Sequence, residues 1–391
     1  MKNKILFISG IRSDYDLLKP LASSLKTKKN FDIYFHLCEP HFSVNHNLSY
    51  KIVVKDKFKV INIDTSFKSV FYDDTNQRVK AFGRTVLDIN KSISLINPSL
   101  VIYLGDREEP MAAAIACAYN NIPTLHIAGG DNCYPNGGDV DEPVRHAISK
   151  LSSLHLVIAN EHKSRLIKMG EPEDRIKFVG NPGLDSIALT PKISLESITQ
   201  IPRKFLNNKY AVLIYHVMSS LSPKEALKEY RNILNALYEK EVKILIGAPN
   251  SDPGQFEILN HSEFFLKKNE NAGYLYKNLP RLEFINILRN SNFIIGNSSL
   301  GILEANFLKK PAINVGERQK GRLHGNNVLF TGSDKNLIIE AIEKATSQEF
   351  LNKIDNETSN IYGDGSMVEK SVDFIMKNIN RKDLLEKHIT Y

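Results

Sequence analysis

Short apolar runs alternate with amphipathic stretches along most of this 391-residue chain. In the first half, the apolar runs predict buried strands at 4–9, 31–37, 60–63, 100–104, 124–128 and 156–159. Helix-period patterns stand between most of these runs, notably near 14–26, 75–95 and 109–120. Strands that alternate with helices favour a parallel sheet with helices on both faces.

The alternation of apolar and amphipathic stretches stops over 190–208, where Thr, Pro, Ser, Lys and Asn predominate, and this predicts a linker. The alternation then restarts. Further strands are predicted at 210–215, 242–246, 293–295 and 312–315, with helices near 223–238, 281–288 and 299–308. The chain is therefore expected to be an α/β protein with two Rossmann-like, doubly wound domains, at 1–189 and 209–366. A helical segment at 367–391 is expected to pack back on the first domain. Because ligands bind at the carboxyl ends of such strands, we expect the active site in the interdomain cleft.

Composition and charge narrow the classes of partner. Lys and Arg number 51 against 44 Asp and Glu, but the excess forms no basic run, so no nucleic-acid partner is expected. The three cysteines are widely spaced, which indicates neither a disulfide framework nor a structural zinc site. Residues 1–10 lead straight into a strand pattern, so no signal peptide is expected there, and no apolar run approaches the roughly 20 residues that span a bilayer. The sequence favours a cytoplasmic protein with an anionic ligand and no membrane partner.

Polar residues follow two strands of the first domain. Gly10, Ile11 and Arg12 form a strand-to-helix turn whose backbone N–H groups and positive charge suit a phosphate. An ordinary capped turn explains this segment equally well, and the absence of the GxGxxG spacing gives a nicotinamide cofactor little support. Asp106 follows the fourth strand, where it is either a functional acid or a helix cap.

The densest polar stretch covers residues 126–146, with paired glycines, several acids, an arginine and two histidines. A helix that begins at Asp141 or Glu142 accounts for those two acids. It leaves Asp131 and Arg145 unexplained. Carboxylates beside cations are what proton transfer at a weakly acidic carbon requires.

In the second domain, His216 follows the strand at 210–215, although a histidine at a strand end is often structural. Residues 296–304 join a strand to a helix through Asn-Ser-Ser, which offers N–H and hydroxyl groups to a diphosphate. Glu304 is suitably placed for the two hydroxyls of a ribose. The cation-rich residues 316–322 follow, and a solvated loop explains them equally well.

These motifs, in this order, resemble the UDP-N-acetylglucosamine 2-epimerases. The resemblance rests on the segments 296–305 and 316–322, and the segments 105–107, 126–131 and 145–151 are similar to the hydrolysing branch. That branch comprises bacterial enzymes that begin the synthesis of sialic acid and related nonulosonic acids for capsule polysaccharide. The resemblance implies a GT-B architecture, a nucleotide-sugar substrate, a homodimer, and neither a metal nor another cofactor. It implies UDP and free N-acetylmannosamine as products, formed through a glycal intermediate.

The resemblance also assigns residues to two roles. The implied catalytic residues are Asp106, Asp131, Asp141, Glu142, Arg145 and His216. The implied substrate- and nucleotide-binding residues are Arg12, His41, Asn297, Ser298, Ser299, Gly301, Glu304, Arg318 and Arg322.

The departures from the family pattern lie on the sugar side. Ala128 stands where relatives carry Glu or His, Asp131 replaces Glu, Val217 replaces Pro, and the loop 132–140 is longer. The resemblance therefore leaves the sugar open among N-acetylglucosamine, a 2,4-diacetamido relative and another hexosamine, and it leaves the nucleotide open between UDP and GDP. Two alternatives remain: a nucleotide-sugar binder with lost or altered chemistry, and a GT-B glycosyltransferase, which does not need so many acids. Residues 36–43 lack the Gln-His-Arg motif of the non-hydrolysing epimerases.

Overall fold

The chain divides into two compact units of parallel α/β structure. The computed structural model describes residues 2–43, 48–61, 75–133, 140–206, 209–218, 220–249, 254–277, 279–357 and 360–388. Unit 1 comprises the described residues up to Asp131, those of Val140–Ser186, and those from Tyr362 onward. Unit 2 comprises those of Ile187–Ile361, with Asn132 and Cys133.

Unit 1 contains a seven-stranded parallel sheet in the order β3-β2-β1-β4-β5-β6-β7. Its strands are β1 (Asn3–Ser9), β2 (Phe31–Leu37), β3 (Lys59–Val60), β4 (Leu100–Leu104), β5 (Thr124–Ile127), β6 (Leu154–Val157) and β7 (Ile176–Phe178). The helices that follow them are α1 (Arg12–Lys26), α2 (Tyr50–Lys55), α3 (Thr75–Ile96), α4 (Glu108–Tyr119), α5 (Asp141–Leu151), α6 (Asn160–Lys168) and α7 (Pro182–Leu189).

Alternate residues of β1 show why this sheet is covered on both faces. Ile5 and Phe7 pack in one apolar cluster with residues of α1, whereas Leu6 and Ile8 pack in another with residues of α3 and α4. Successive side chains of a strand point to opposite faces, so a strand that is apolar at every position must be buried on both.

Unit 2 contains a six-stranded parallel sheet in the order β10-β9-β8-β11-β12-β13. Its strands are β8 (Tyr210–Ile214), β9 (Lys243–Gly247), β10 (Gly273–Tyr276), β11 (Phe293–Gly296), β12 (Ala312–Val315) and β13 (Val328–Thr331). Its helices are α8 (Arg203–Leu206), α9 (Pro223–Glu239), α10 (Gln255–Lys268), α11 (Arg281–Asn290), α12 (Leu300–Leu303), α13 (Lys335–Thr346) and α14 (Gln348–Asp355). The predicted pair of doubly wound α/β domains is confirmed.

Several predicted elements differ from the structure. The strands β7, β10 and β13 are missing from the prediction, because each lies at the edge of its sheet and mixes buried with partly exposed positions, so it forms no clear apolar run. The helix predicted at 299–308 is α12, which ends at Leu303, and turns follow it. The predicted linker contains α8, and its Ile198, Ile201, Phe205 and Leu206 are buried. Residues 62–63 of the predicted third strand lie outside the described residues.

The last helix, α15 (Met367–Asn378), belongs to unit 1 and is shorter than the predicted segment. Its first two backbone N–H groups donate to the carboxylate of Asp185 on α7, from Met367 at 3.0 Å and from Val368 at 2.9 Å. A carboxylate at this end also complements the helix dipole. No helix in the described ranges is long and apolar enough to cross a bilayer.

A buried carboxylate anchors the residues that follow α15. The fully buried side chain of Glu171 accepts hydrogen bonds from Lys150 at 2.7 Å, from His155 Nε2 at 3.0 Å, and from Lys387 near the carboxyl end. Burial alone raises the pKa of Glu171, but His155 and the two lysines outweigh it and lower the pKa to about 2. The network therefore stabilises unit 1 at every pH above the ordinary carboxyl pKa. This stability is lost as the pH falls toward 2, the pKa of Glu171 in the folded protein.

We predict that Glu171→Gln lowers the free energy of unfolding at pH 7 by about 2 kcal/mol, since the amide cannot neutralise the two lysines. Chemical denaturation measures the change. Glu173→Gln is the matched control, because Glu173 is exposed and, among the described residues, forms an ion pair only with Lys163. It should change stability by less than about 0.5 kcal/mol. Equal effects of the two substitutions would contradict the proposed anchor.

Candidate active site

Three of the predicted residues meet at the carboxyl ends of β4 and β5, where two acids pair with the buried guanidinium of an arginine. The side chain of Arg145, on α5, is 2% exposed and forms an ion pair with Asp106, just after β4. It also donates to Glu142 Oε2 at 3.1 Å, and the other oxygen of Glu142 lies 3.2 Å from His146 Nε2. The side chain of Asp106 is 28% exposed, so one carboxylate is held rigidly while it stays accessible.

A buried histidine holds the turn that carries Asp106. His126 Nε2 donates to the carbonyl oxygen of Gly105 at 2.8 Å, and its Nδ1 lies 3.2 Å from Ser149 Oγ. Burial lowers the pKa of His126 to about 3, so the ring is neutral at physiological pH. His126 is therefore a positioning residue for the β4–α4 turn.

Asp131 and Asp141 occupy different environments. Asp131 is 2% exposed, and its Oδ1 lies 3.3 Å from Nε2 of the fully buried His162 on α6. Asp141 is the first residue of α5 and is half-buried. Asp131 is thus enclosed beside a histidine that the sequence interpretation missed. Residues 134–139 of the longer loop lie outside the described residues.

The two predicted binding residues near β1 and β2 also differ in exposure. Arg12 is half-buried, and its Nε lies 3.7 Å from Asp16 one turn along α1. His41 is fully buried, with Nε2 at 2.9 Å from Ser9 Oγ and Nδ1 at 2.9 Å from Ser49 Oγ. Both ring nitrogens of His41 therefore lie beside hydroxyl groups of the protein, and its contact with substrate stays a prediction.

In unit 2, Asn297 binds the backbone of His216 through both ends of its amide. Its Nδ2 donates to the carbonyl oxygen of His216 at 2.8 Å, and its Oδ1 accepts from the N–H of His216 at 2.8 Å. Arg318 then donates to the carbonyl oxygen of Asn297 at 3.0 Å. Asn297 is fully buried, so it acts as a positioning residue, while His216 and Arg318 stay half-buried.

A glycine lets the β8 and β11 ends approach this closely. Gly296 has a φ of +129°, and a Cβ there would lie 2.0 Å from the carbonyl oxygen of Ile214. Every other residue type would force the two strand ends apart. The segment Asn-Ser-Ser can therefore follow β11 directly beside His216.

Ser298, Ser299 and Gly301 surround the start of α12. Ser298 and Ser299 are half-buried, and Ser298 Oγ accepts a long hydrogen bond of 3.4 Å from the N–H of Leu300. Gly301 packs against Ala312 of β12. Because α12 has only four residues, the hydroxyl groups are better candidates for a diphosphate than a helix dipole.

Glu304 and Arg322, the remaining predicted residues, are both paired. Glu304 Oε2 lies 3.3 Å from Nη2 of Arg281 at the start of α11, and the Glu304 side chain is 15% exposed. Arg322 is buried and donates to Gln319 Oε1 at 2.9 Å. The structure therefore keeps Glu304 near the surface of unit 2 and places Arg322 within it, which argues against a direct ligand contact for Arg322.

The sequence interpretation also missed a charged cluster at the ends of β1 and β4. Arg107 Nε donates to Glu109 Oε2 at 3.2 Å, and Asp14 Oδ2 accepts from the N–H of Ile11 at 3.2 Å. Asp14 therefore already binds the N–H group of Ile11, in the turn that the sequence suggests for a phosphate. Among the described residues, no group of three or more His, Cys, Asp and Glu side chains is placed to hold a metal ion.

The two doubly wound parallel sheets and the polar residues at their strand ends define the class of protein. It is a two-domain α/β protein whose ligand-binding side chains lie at the carboxyl edges of its sheets. The chain matches the family model for UDP-N-acetylglucosamine 2-epimerase over residues 23–376. It therefore belongs to that family, which confirms the resemblance carried by its motifs.

Individual relatives refine this result. The chain is 32% identical to a UDP-N,N'-diacetylbacillosamine 2-epimerase (hydrolyzing) from Legionella pneumophila, over 95% of this chain and 94% of the relative. It is 29% identical to a GDP/UDP-N,N'-diacetylbacillosamine 2-epimerase (hydrolyzing) from Campylobacter jejuni, over 89% of each. These relatives confirm the predicted placement in the hydrolysing branch.

A solved structure supports the fold. The UDP-GlcNAc 2-epimerase from Neisseria meningitidis, bound to UDP-GlcNAc, superposes with a TM-score of 0.76 at 19% identity. The match covers 96% of this chain and 100% of that one, and it confirms the predicted GT-B fold.

We predict that Asn297→Ala lowers the free energy of unfolding by about 2 kcal/mol, because two buried backbone groups of His216 lose their partners. Ser298→Ala is the control. It removes one long hydrogen bond at a half-buried position and should cost less than about 0.5 kcal/mol. Denaturant titration of both variants tests the difference, and an Asn297→Ala variant as stable as Ser298→Ala would rule out the positioning role.

Proposed function

We propose that this protein is a hydrolysing 2-epimerase of a UDP-linked 2,4-diacetamido hexosamine, and that it releases UDP and the free 2-epimeric sugar. Membership of the family and of its hydrolysing branch supports the reaction class. The names of the two relatives support the diacetamido sugar over N-acetylglucosamine, and the first of them supports UDP over GDP. A homodimer is also part of this proposal.

The reaction has two stages. In the first, a base removes the proton from carbon 2 while the bond between carbon 1 and the UDP oxygen breaks, and UDP leaves with the electron pair. This elimination forms a glycal. In the second, water adds its oxygen to carbon 1, and an acid returns a proton to carbon 2 on the opposite face. The protein must therefore supply both a base and an acid, and donors for the leaving diphosphate.

The grouping of Asp106, Glu142 and Arg145 in unit 1 is the observation that carries this proposal. Two carboxylates share one buried guanidinium, and only Asp106 is more than one quarter exposed. We assign Asp106 as the base at carbon 2, with Arg145 orienting its carboxylate through their ion pair. Glu142, with His146 at 3.2 Å, is the second group for proton transfer.

Asp131 and Asp141 take supporting parts in the same scheme. Asp131 is enclosed and contacts His162, so a proton that reaches it passes through its neighbours. Asp141 stands at the first turn of α5, where its charge favours the helix that presents Glu142 and Arg145. Proton transfer by Asp131 or Asp141 remains a prediction.

The residues of unit 2 suit the nucleotide. His216, Ser298 and Ser299 present donors at the adjacent ends of β8 and β11, and Arg318 adds a cation fixed to the backbone of Asn297. We assign these groups to the diphosphate. We assign Glu304 to the ribose hydroxyls. To bind them, the Glu304 carboxylate must either release Arg281 or bind Arg281 and the ribose at the same time. Arg12 of unit 1 is a further cation for the diphosphate.

Incubation with the nucleotide sugar in deuterated water tests the proposal. We expect UDP and a free 2-epimeric sugar that carries deuterium at carbon 2, seen by NMR without added metal, and faster turnover of the diacetamido substrate than of UDP-N-acetylglucosamine. A nucleotide sugar epimerised but still intact would contradict hydrolysis. Transfer of the sugar to an added acceptor would indicate a glycosyltransferase, and binding without turnover would indicate altered chemistry.

We predict that two substitutions have separate kinetic effects. Asp106→Asn removes the base and should lower kcat by about a hundredfold or more, with nucleotide affinity nearly unchanged. Glu304→Ala should mainly raise KM, by about tenfold, because ribose contacts change little between the ground and transition states. Steady-state kinetics and UDP calorimetry measure both.

Glu317→Ala is the control for these two variants, since Glu317 is exposed and its one ion pair within the described ranges is with Lys320 at 3.0 Å. It should match the wild type in kcat and KM. An Asp106→Asn variant that turns over normally but loses affinity for UDP would refute the assignment of the base.

A further inference from the structure

Three charged side chains outside the assigned set meet at the ends of β1 and β4: Asp14, Arg107 and Glu109. Glu109 lies in the first turn of α4 and is only 7% exposed. Its carboxylate accepts a hydrogen bond from Arg107 Nε at 3.2 Å. Arg107 directly follows Asp106, so Glu109 holds the residue next to the assigned base.

Glu109 also contacts the turn that follows β1. A Cβ on Gly10 would lie 2.8 Å from Cδ of Glu109 and 2.9 Å from Oδ2 of Asp14, so both carboxyl groups press against this glycine. Asp14 in turn accepts from the N–H of Ile11 at 3.2 Å. A buried carboxylate on α4 therefore touches both the Gly10 turn, which leads to Arg12, and the side chain that follows Asp106.

We propose that Glu109 is a positioning residue of the reaction, which holds Arg107 and the Gly10 turn together and so fixes the two loops that carry Arg12 and Asp106. This inference rests on the proposed function, because the reaction needs both loops. Glu109 itself contacts neither substrate nor reacting atoms. Its effect passes through Arg107 and Gly10.

The neighbouring Glu108 provides a matched control in the same helical turn. Its carboxylate also lies in the first turn of α4, but it forms its ion pair with Arg78 of α3, and its electrostatic effect on Arg107 is smaller than that of Glu109. A general effect of negative charge at this helix end would therefore be equal for Glu108 and Glu109. An effect that requires the contacts with Arg107 and Gly10 belongs to Glu109 alone.

The arrangement carries a specific pH signature through Asp14. Burial raises the pKa of Asp14 to about 6, while Arg107 lowers it and Glu109 raises it. The thiol of Cys38, directly after β2, also interacts electrostatically with this carboxyl, and Arg12 and Asp16 stand on the same helix, α1. Removing the charge of Glu109 should therefore lower the pKa of Asp14, and removing that of Arg107 should raise it.

The ionised carboxylate of Asp14 is the stronger acceptor for the N–H groups of the Gly10 turn. Protonation of Asp14 should therefore loosen this turn and define an acidic limb in the pH profile of kcat. Neutralising Glu109 and neutralising Arg107 should therefore move this limb in opposite directions. If the two residues merely supported the fold, their substitutions would not produce opposite shifts.

The test compares Glu109→Gln, Arg107→Gln and Glu108→Gln in kcat and KM across the pH range. We expect Glu109→Gln to lower kcat by about ten- to a hundredfold, the scale of a displaced reacting group, with KM within about twofold of the wild type. Its acidic limb should move to lower pH. Arg107→Gln should show a similar loss of kcat with the limb moved to higher pH, and Glu108→Gln should match the wild type.

The pH dependence of the melting temperature gives a second readout that needs no substrate. The folded protein binds more protons at Asp14 than the unfolded chain does, so this group destabilises the fold as the pH rises toward 6. This decline should end at lower pH in Glu109→Gln and at higher pH in Arg107→Gln, because the substitutions change the pKa of Asp14 in the folded protein and not in the unfolded chain. Should Glu109→Gln fail to fold, Arg107→Gln decides the matter by both readouts.

The outcomes separate this inference from the proposed function. Wild-type protein that turns over no nucleotide sugar would contradict the proposed function, and the melting profiles would still test the contacts of Glu109. Wild-type turnover with Glu109→Gln indistinguishable from Glu108→Gln would overturn the positioning role alone. Displacement of the acidic limb in the same direction by Glu109→Gln and Arg107→Gln would also overturn it.

Discussion

Parallel pairing of every strand is the constraint on which the rest of each unit depends. When all strands run one way, the loops that leave their carboxyl ends emerge at one edge of the sheet, however far apart they lie in the sequence. Asp106 and Arg145 are brought together in this way from β4 and α5, and Asn297 and His216 from β11 and β8. The apolar strands therefore determine where the polar loops can meet.

At that edge, buried polar groups hold the site residues in position. Arg145 is buried beside two carboxylates, His126 is neutral and bound to the backbone of Gly105, and Asn297 holds the backbone of His216. An unpaired buried polar group is costly, so each pairing strongly favours one geometry. The half-buried side chains, Asp106 and His216 among them, take their orientation from these neighbours.

The fold was largely predictable from the sequence, because long apolar strands and their alternation with helices are strong signals. The site was predictable in part. Motifs located Asp106, Arg145 and His216 at strand ends, but they did not distinguish side chains that reach the surface from those that support them. His41 and Asn297 are buried, and Glu109 is hidden in a helix whose other residues are mostly apolar. Those distinctions depend on three-dimensional packing, which spacing along the chain does not encode.

The same reasoning explains why the sugar is harder to infer than the reaction. A proton transfer needs carboxylates beside a cation, and residue types alone suggest such a group. Selecting among acetamido sugars depends instead on the shape of a surface, to which small residues such as Ala128 contribute as much as charged ones. Ala128 has a φ of +68°, so the chain leaves β5 in a conformation that few side chains adopt readily. We therefore expect the sugar specificity to depend on backbone path and side-chain volume, and the reaction class to depend on the charged groups at the sheet edge.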